Sequence, residues 1–426
     1  MAQVKRVKGL VRVLKQEWRG NICMILIGVA LFALVARGQL EMQSVLDCKF
    51  LRGNHSGKLD SLDIWKVDHG QGTFTVRVRD ATDLKLLDGV GECETSIPNL
   101  GSHVRKWGEI RSNRSSFDSP SEDIFGRYAT YTGMRKMLFV WAKSHPGLAT
   151  FIPSIGRSVE GRDLFAFKIS TGPGRRSIWI NGGIHAREWI SPAAVLYIIN
   201  QLLTEKPELL NYFDFHFTPL ANPDGYVYSY RYDRLWRKNR RRNSDGTFGV
   251  DLNRNWDEHW GVVGSSRSPR DETYCGPSAA SEPEVKALSK YVLGLNNAYG
   301  AIDFHSYSQM ILRNWGWSEK VSSNEQHLAV LGEKMKQAYN SRGYNFVSQN
   351  SAGLYPASGA LDDWMAAKAK LVSFTVELCP GQDDSAGFQL PPEQIRKCAD
   401  ATYSAFKEFV NYLVENPNIP PNSIVS

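Results

Sequence analysis

From residue 124 onward, short runs rich in aromatic and β-branched residues alternate with longer segments whose apolar residues recur every three or four positions. RDLFAFKIS (162–170), RSIWING (176–182), YFDFHFTPLAN (212–222), YGAIDFHS (299–306) and AKLVSFTVEL (369–378) have the composition of strands. Helical segments occupy 131–146, 191–205, 281–295, 325–343 and 391–415. Ser191 is placed to cap the second helix, with Pro192 at its first helical position, and Ser281 with Glu284 has capping-box spacing at the third. Strands separated by helices connect by crossovers rather than hairpins. The expected class is therefore α/β, a mixed, mostly parallel twisted sheet with helices on both faces.

In such sheets chemistry collects beyond the carboxyl ends of strands. Here three strands end in ionisable residues: His185 and Glu188 follow RSIWING, His305 closes YGAIDFHS, and Glu377 closes SFTVE. Two imidazoles and one carboxylate, with a fourth position left open, make a catalytic zinc arrangement. Of the nine histidines only His185 has a glutamate three residues on. Taken alone, a strand-end histidine such as His305 reads as a hydrogen-bonded core residue.

Residues 38–111 form a separate unit, with strands at LDIWKV and FTVRVRD and a helix at NLGSHVRKWGEI. RSNRSSFDSPSED (111–123) is polar and suits an exposed linker open to proteolysis after Arg111 or Arg114. The expected division is a leader (1–37), a small α+β unit (38–111), a linker (112–123) and a large domain (124–418). In the leader a basic flank precedes ICMILIGVALFALVA (22–36), the pattern of a secretory signal peptide. An uncleaved signal-anchor is the alternative, although the run is shorter than the roughly 20 residues a spanning helix needs. Asn54 and Asn113 are glycosylation acceptors if the chain is secreted. The net charge of +7 comes without any nucleic-acid-binding motif, and its densest basic run, RKNRRR (237–242), reads as a solvated loop. Outside the leader five cysteines remain, Cys48, Cys93, Cys275, Cys379 and Cys398, with no CxxC among them.

GGIHAREWISP, NPDGYVYSYRYDRLWRKNR, GVDLNRNWD, FHSYSQMIL, LYPASGALDDW and SFTVELCPGQDDSAGFQLPPEQI occur in the order and approximate spacing of zinc metallocarboxypeptidases of the pancreatic carboxypeptidase A/B type. The resemblance covers roughly residues 120–415, and the 38–111 unit resembles that family's inhibitory propeptide. It implies one Zn2+ per chain, held by His185, Glu188 and His305. This ligand set is the one known in carboxypeptidase A and comes with the resemblance. It further implies that Asp251 orients the first histidine, that Glu377 is the general base, and that Arg237 stabilises oxyanion charge. Asn253, Arg254 and Tyr355 match the clamp for a free C-terminal carboxylate, which an Arg fork meets with two hydrogen bonds. Arg187, Tyr307 and Phe388 match outer subsites. Asp362 matches the pocket-floor position, where an acidic residue goes with C-terminal Lys or Arg. The other reading has Asp362 or Asp363 pointing to solvent or capping a helix.

The chain also departs from the family. Thr247 and Arg270 stand where the digestive enzymes have a disulfide, and Asn350 lies near the pocket where smaller or apolar residues are usual. Cys48–Cys93 is the expected bridge of the first unit, while the pairing among Cys275, Cys379 and Cys398 stays open. The expectation is a secreted, monomeric zymogen of an exopeptidase acting on peptide or protein C-termini, activated by a trypsin-like protease, with a membrane partner only if the leader is uncleaved. The alternatives are a non-catalytic peptide-binding protein on the same scaffold, a zinc hydrolase of small acylated amino acids or peptidoglycan, and a carboxypeptidase of apolar preference.

Overall fold

The computed structural model describes residues 43–51, 61–68, 71–88, 90–97, 100, 125–295 and 297–421. The leader, the linker, Asn54 and Asn113 lie outside them, as does nearly all of the helix expected at 99–110. Among the described residues no helix is long and apolar enough to cross a membrane.

The first unit contains strands β1 (Ser44–Phe50), β2 (Asp63–Asp68), β3 (Thr73–Val78) and β4 (Gly91–Ile97) and helix α1 (Ala81–Leu87). The strands form an antiparallel sheet in the order β2-β3-β1-β4. Leu46, Leu62, Phe74, Val76, Leu87 and Val90 make its small core. Cys48 and Cys93 face each other in the β1–β4 ladder and are disulfide-bonded, as expected. Asp80 caps α1 by accepting from the Thr82 amide at 2.7 Å.

The large unit holds α2 (Tyr131–Ser144), β5 (Ala149–Arg157), β6 (Asp163–Ile169), β7 (Arg176–Gly182), α3 (Ile190–Glu205), β8 (Phe213–Thr218), α4 (Pro223–Arg231) and α5 (Pro283–Leu293). It continues with β9 (Ala298–Ser308), β10 (Met310–Arg313), α6 (Glu325–Asn340), β11 (Val347–Asn350), α7 (Leu361–Ala367), β12 (Val372–Gly381) and α8 (Ile395–Glu415). Its sheet runs β11-β10-β12-β9-β7-β8-β6-β5. The central four, β12, β9, β7 and β8, are mutually parallel, and β5 and β6 add antiparallel pairings at one edge.

Alternation sorts these strands onto two faces. Ile178, Ile180, Phe215, Phe217, Ile302, Phe304, Phe374 and Val376 pack under α3, α6 and α8. Trp179 and Ala301 point the other way, against Val285 and Leu288 of α5 and Leu361 and Trp364 of α7. Each large apolar side chain buried this way contributes about 1.5–3 kcal/mol. Helix α3 is apolar almost all round because it lies wholly inside one layer. Cys379 is bonded to Cys398, tying the end of β12 to α8, and Cys275 is a buried free thiol.

Two helix-start expectations need correction. Ser191 does not cap α3, which begins at Ile190 so that Pro192 is its third residue: the Ser191 hydroxyl accepts from the Gly183 amide at 2.9 Å and donates to the Phe304 carbonyl at 2.5 Å. Ser281 and Glu284 form no capping box. Ser281 donates to the Glu282 carboxylate, and Glu284 accepts from the Val159 amide. For Ser191 and Glu284 a tertiary partner outcompetes the local one, whereas Ser281 turns to its chain neighbour.

His216 on β8 is buried, with Nδ1 2.9 Å from the Tyr291 hydroxyl. Burial, and then Lys168 in the facing position of β6, pushes its pKa down to about 4. A folded-state pKa below the unfolded one gives stability that is complete above about pH 6.5 and lost as pH falls through about 4. The loss approaches about 3 kcal/mol. Thermal unfolding midpoints should therefore fall more steeply with acid for the wild type than for His216→Gln, and parallel slopes would contradict this.

Candidate metal centre and cleft

The chain leaves β7 through Gly183, whose φ of +65° suits glycine and whose absent Cβ would stand 2.8 Å from Leu220 Cδ1. Ser191 fastens this turn to β9, and Asn222 holds it through the Ile184 carbonyl at 3.1 Å. His185 and Glu188 are thereby delivered beside His305 on β9. His185 Nδ1 lies 2.8 Å from Glu188 Oε1, His305 Nδ1 lies 3.1 Å from Glu188 Oε2, and the two Nδ1 atoms are 3.1 Å apart. All three side chains are buried.

The outer nitrogens are committed elsewhere. His185 Nε2 faces Asp251 Oδ1 at 3.3 Å and His305 Nε2 faces Asp303 Oδ2 at 2.8 Å. Asp251 in turn accepts from Arg237 Nε and Nη2 at 3.1 and 2.9 Å and from the Asn253 amide at 2.9 Å. Although burial opposes it, Arg237 and His185 hold the Asp251 carboxyl well below the usual carboxylate range. An Nε2 proton on each ring, donated to its aspartate, would leave both Nδ1 lone pairs converging on one point beside the Glu188 oxygens. Lone pairs facing lone pairs repel unless a cation lies between them. Tetrahedral ligands 2.0–2.1 Å from one zinc ion would lie about 3.3 Å apart, close to the observed spacings. Of the described residues, only these three form a group of metal donors, mutually within 4.8 Å.

Arg187, Glu188, Arg237, Tyr307, Tyr355, Glu377 and Phe388 line one cleft above this centre. Glu377 is the registered neighbour of His305 in the parallel β9–β12 ladder. Desolvation in the cleft pushes its pKa up to about 8. Strand β2 of the first unit lies across the opening: Ile64, Trp65, Lys66 and Val67 join the lining. Asp63 accepts from Arg187 at 2.8 Å with both groups buried, Trp65 meets Phe388 edge-on at 5.6 Å, and Lys66 pairs with Asp383.

Asn253, Arg254 and Asp362 do not line this cleft. Arg254 is buried, donates to the Gly264 and Asn253 carbonyls at 2.8 and 2.7 Å, and lies 5.8 Å from the Tyr355 ring centre. Asn253 accepts from the Leu361 amide at the start of α7. Asp362 is buried and accepts from the Ser351 hydroxyl at 3.0 Å and the Asp363 amide at 2.9 Å, and no ion pair reaches it among the described residues. Burial raises its pKa. Asp363 is also buried, its oxygens on the Gly316 and Trp317 amides, so neither carboxylate faces solvent. Asn350 donates to the Asn314 carbonyl rather than entering the cleft.

The sequence reading missed Asp303. The available signal was an ionisable residue inside an apolar strand, two positions before His305 and so on the same face.

A family model for zinc carboxypeptidases matches residues 134–405. The chain belongs to the zinc carboxypeptidase family. Zinc carboxypeptidase A 1 of Anopheles gambiae is 40% identical over 285 residues, 65% of this chain and 65% of that protein. Carboxypeptidase B of Rattus norvegicus is 33% identical, over 83% of this chain and 88% of its own length. The crystal structure of carboxypeptidase A from Helicoverpa armigera matches with a TM-score of 0.80 at 27% identity, covering 88% of this chain and 98% of that one. Zinc carboxypeptidases are metallohydrolases acting on peptide C-termini, and the donor set here fits zinc. Zinc bound among these donors would supply a Lewis acid that polarises a carbonyl and acidifies water.

Proposed function

We propose that this zinc carboxypeptidase is made as a secreted zymogen and removes C-terminal Lys or Arg from peptides and proteins. His185, Glu188 and His305 hold one Zn2+. Glu377 takes a proton from the attacking water and returns it to the leaving amine. Arg237 stabilises the developing oxyanion, and Asn253, Arg254 and Tyr355 receive the substrate's terminal carboxylate. Arg187, Tyr307 and Phe388 contact residues further from the C-terminus.

The observation that carries the preference is Asp362, a buried carboxylate with a hydroxyl and an amide for company but, among the described residues, no cation. A buried charge needs a partner, and a substrate ammonium or guanidinium supplies one. The zymogen reading is supported by β2 lying across the cleft with Asp63 on Arg187, and by the polar linker that follows this unit. Two disulfides and the basic–apolar leader support the secretory route. The protease cutting near Arg111 or Arg114 is then trypsin-like.

The full chain should be inactive until treated with trypsin. Afterwards it should release single residues from peptides ending in Lys or Arg far faster than from those ending in Leu, Phe or Glu, and a chelator should stop it. Faster release of Leu or Phe would overturn the preference. Full activity before cleavage would overturn the zymogen.

A further inference from the structure

Thr218, Asn181 and Asp303 are registered neighbours across three parallel strands, Thr218 opposite Asn181 in β8–β7 and Asn181 opposite Asp303 in β7–β9. Their side chains form one unbroken row of hydrogen bonds. Trp179 Nε1 donates to Thr218 Oγ1 at 3.0 Å, and Thr218 Oγ1 donates to Asn181 Oδ1 at 2.6 Å. Asn181 Nδ2 donates to Asp303 Oδ1 at 2.8 Å, and Asp303 Oδ2 meets His305 Nε2 at 2.8 Å. Every member is at most 1% exposed.

The direction of this row is fixed by its two ends, an indole that only donates and a carboxylate that only accepts. Thr218 therefore accepts from Trp179 and has its own proton for Asn181. The Asp303 carboxylate can only accept, so the atom of Asn181 facing it is the amide nitrogen, and the atom facing Thr218 is the oxygen that takes the hydroxyl proton. Asp303, engaged by that donor on one oxygen, offers the other to His305 as an acceptor. His305 must then carry its proton on Nε2 and keep the Nδ1 lone pair.

We propose that Asp303 is a positioning residue for the zinc centre, and that the Trp179–Thr218–Asn181 row sets its polarity so that His305 is held in the metal-binding tautomer. The proposal rests on the reading of His305 as a ligand. A merely structural role accounts poorly for the row. Backbone ladders already join β7, β8 and β9, and a buried polar row incurs desolvation that apolar residues would not. Asp251 does the equivalent work for His185 but is oriented by Arg237 instead.

The test exchanges donor and acceptor. In Asp303→Asn, Asn181 still donates, so the new amide turns its oxygen to Asn181 and its nitrogen to His305. The imidazole is pushed into the wrong tautomer. In the double variant Asn181→Asp with Asp303→Asn, residue 181 only accepts. It takes protons from Thr218 and from the new amide, whose oxygen then faces His305 again. Zinc affinity of the metal-stripped full chain is measured by competition with a chromophoric chelator, and metal-free thermal unfolding reports on folding. The affinity of Asp303→Asn should fall about 10–100-fold, the usual cost of losing such a partner, and the double variant should recover most of it. Wild-type affinity in Asp303→Asn overturns the role of Asp303. A folded double variant as weak as the single one overturns the polarity argument. A wild-type chain that binds no zinc overturns the ligand reading itself, a different failure.

Discussion

Glu377→Gln should lower kcat by about 10²–10⁴-fold while zinc content and KM stay near those of the wild type. The substitution preserves shape and hydrogen-bonding reach and removes only the ability to accept and return a proton. Position makes the effect large. Glu377 lies beside His305 in the ladder and opens onto the same cleft as Arg237 and Tyr355, yet it stands outside the His185–Glu188–His305 group. In the metal-free protein desolvation lifts its pKa to about 8, above the ordinary carboxylate range. The measurements are steady-state kinetics on an Arg-ended peptide with metal analysis of the same preparation. Normal turnover would remove Glu377 from the chemistry, and loss of zinc would make it a ligand instead.

The layered α/β fold was legible because its strands are buried on both faces and its helices are long. RSIWING, YFDFHFTPLAN and YGAIDFHS keep apolar character through whole strands, so their type survives any error in boundaries. Elements that went unread lack that redundancy. Edge strand β5 is half exposed and contains Pro153, β10 and β11 have four residues each, and Leu361–Ala367 is two turns long. In PDGYVYSYR the alternating tyrosines favour a strand, and Asn222 with Pro223 starts a helix instead. The metal group was legible only in part: the strand-end positions drew attention to His185, Glu188 and His305, but naming them as one ligand set came with the resemblance to the carboxypeptidases, since His305 taken alone reads as a core histidine. Asp303 was not legible, because its partner row runs sideways through three strands, and lateral register is not written in any one of them. Cys379–Cys398 stayed undecided for the same reason: only packing of α8 against β12 brings the two together.

Asp362→Ala should lower kcat/KM for Arg-ended peptides by about 10²–10³-fold, since removing one partner of a buried charge pair costs about 2–5 kcal/mol. Leu-ended peptides should be unaffected or cleaved faster, because the pocket no longer holds an unpaired carboxylate against an apolar side chain. The free protein should respond in the opposite sense. Among the described residues Asp362 has only Ser351 and one backbone amide as partners, and its raised pKa records an unfavourable burial. Its removal should therefore leave thermal stability equal or higher, so that a loss of activity cannot be assigned to unfolding. Asp362→Asn separates charge from shape: it keeps an acceptor for Ser351 but cannot pair with a guanidinium, and should fall with the alanine variant on Arg-ended substrates. Equal losses on Arg-ended and Leu-ended peptides would mean that Asp362 supports the fold of the pocket rather than reading the side chain within it.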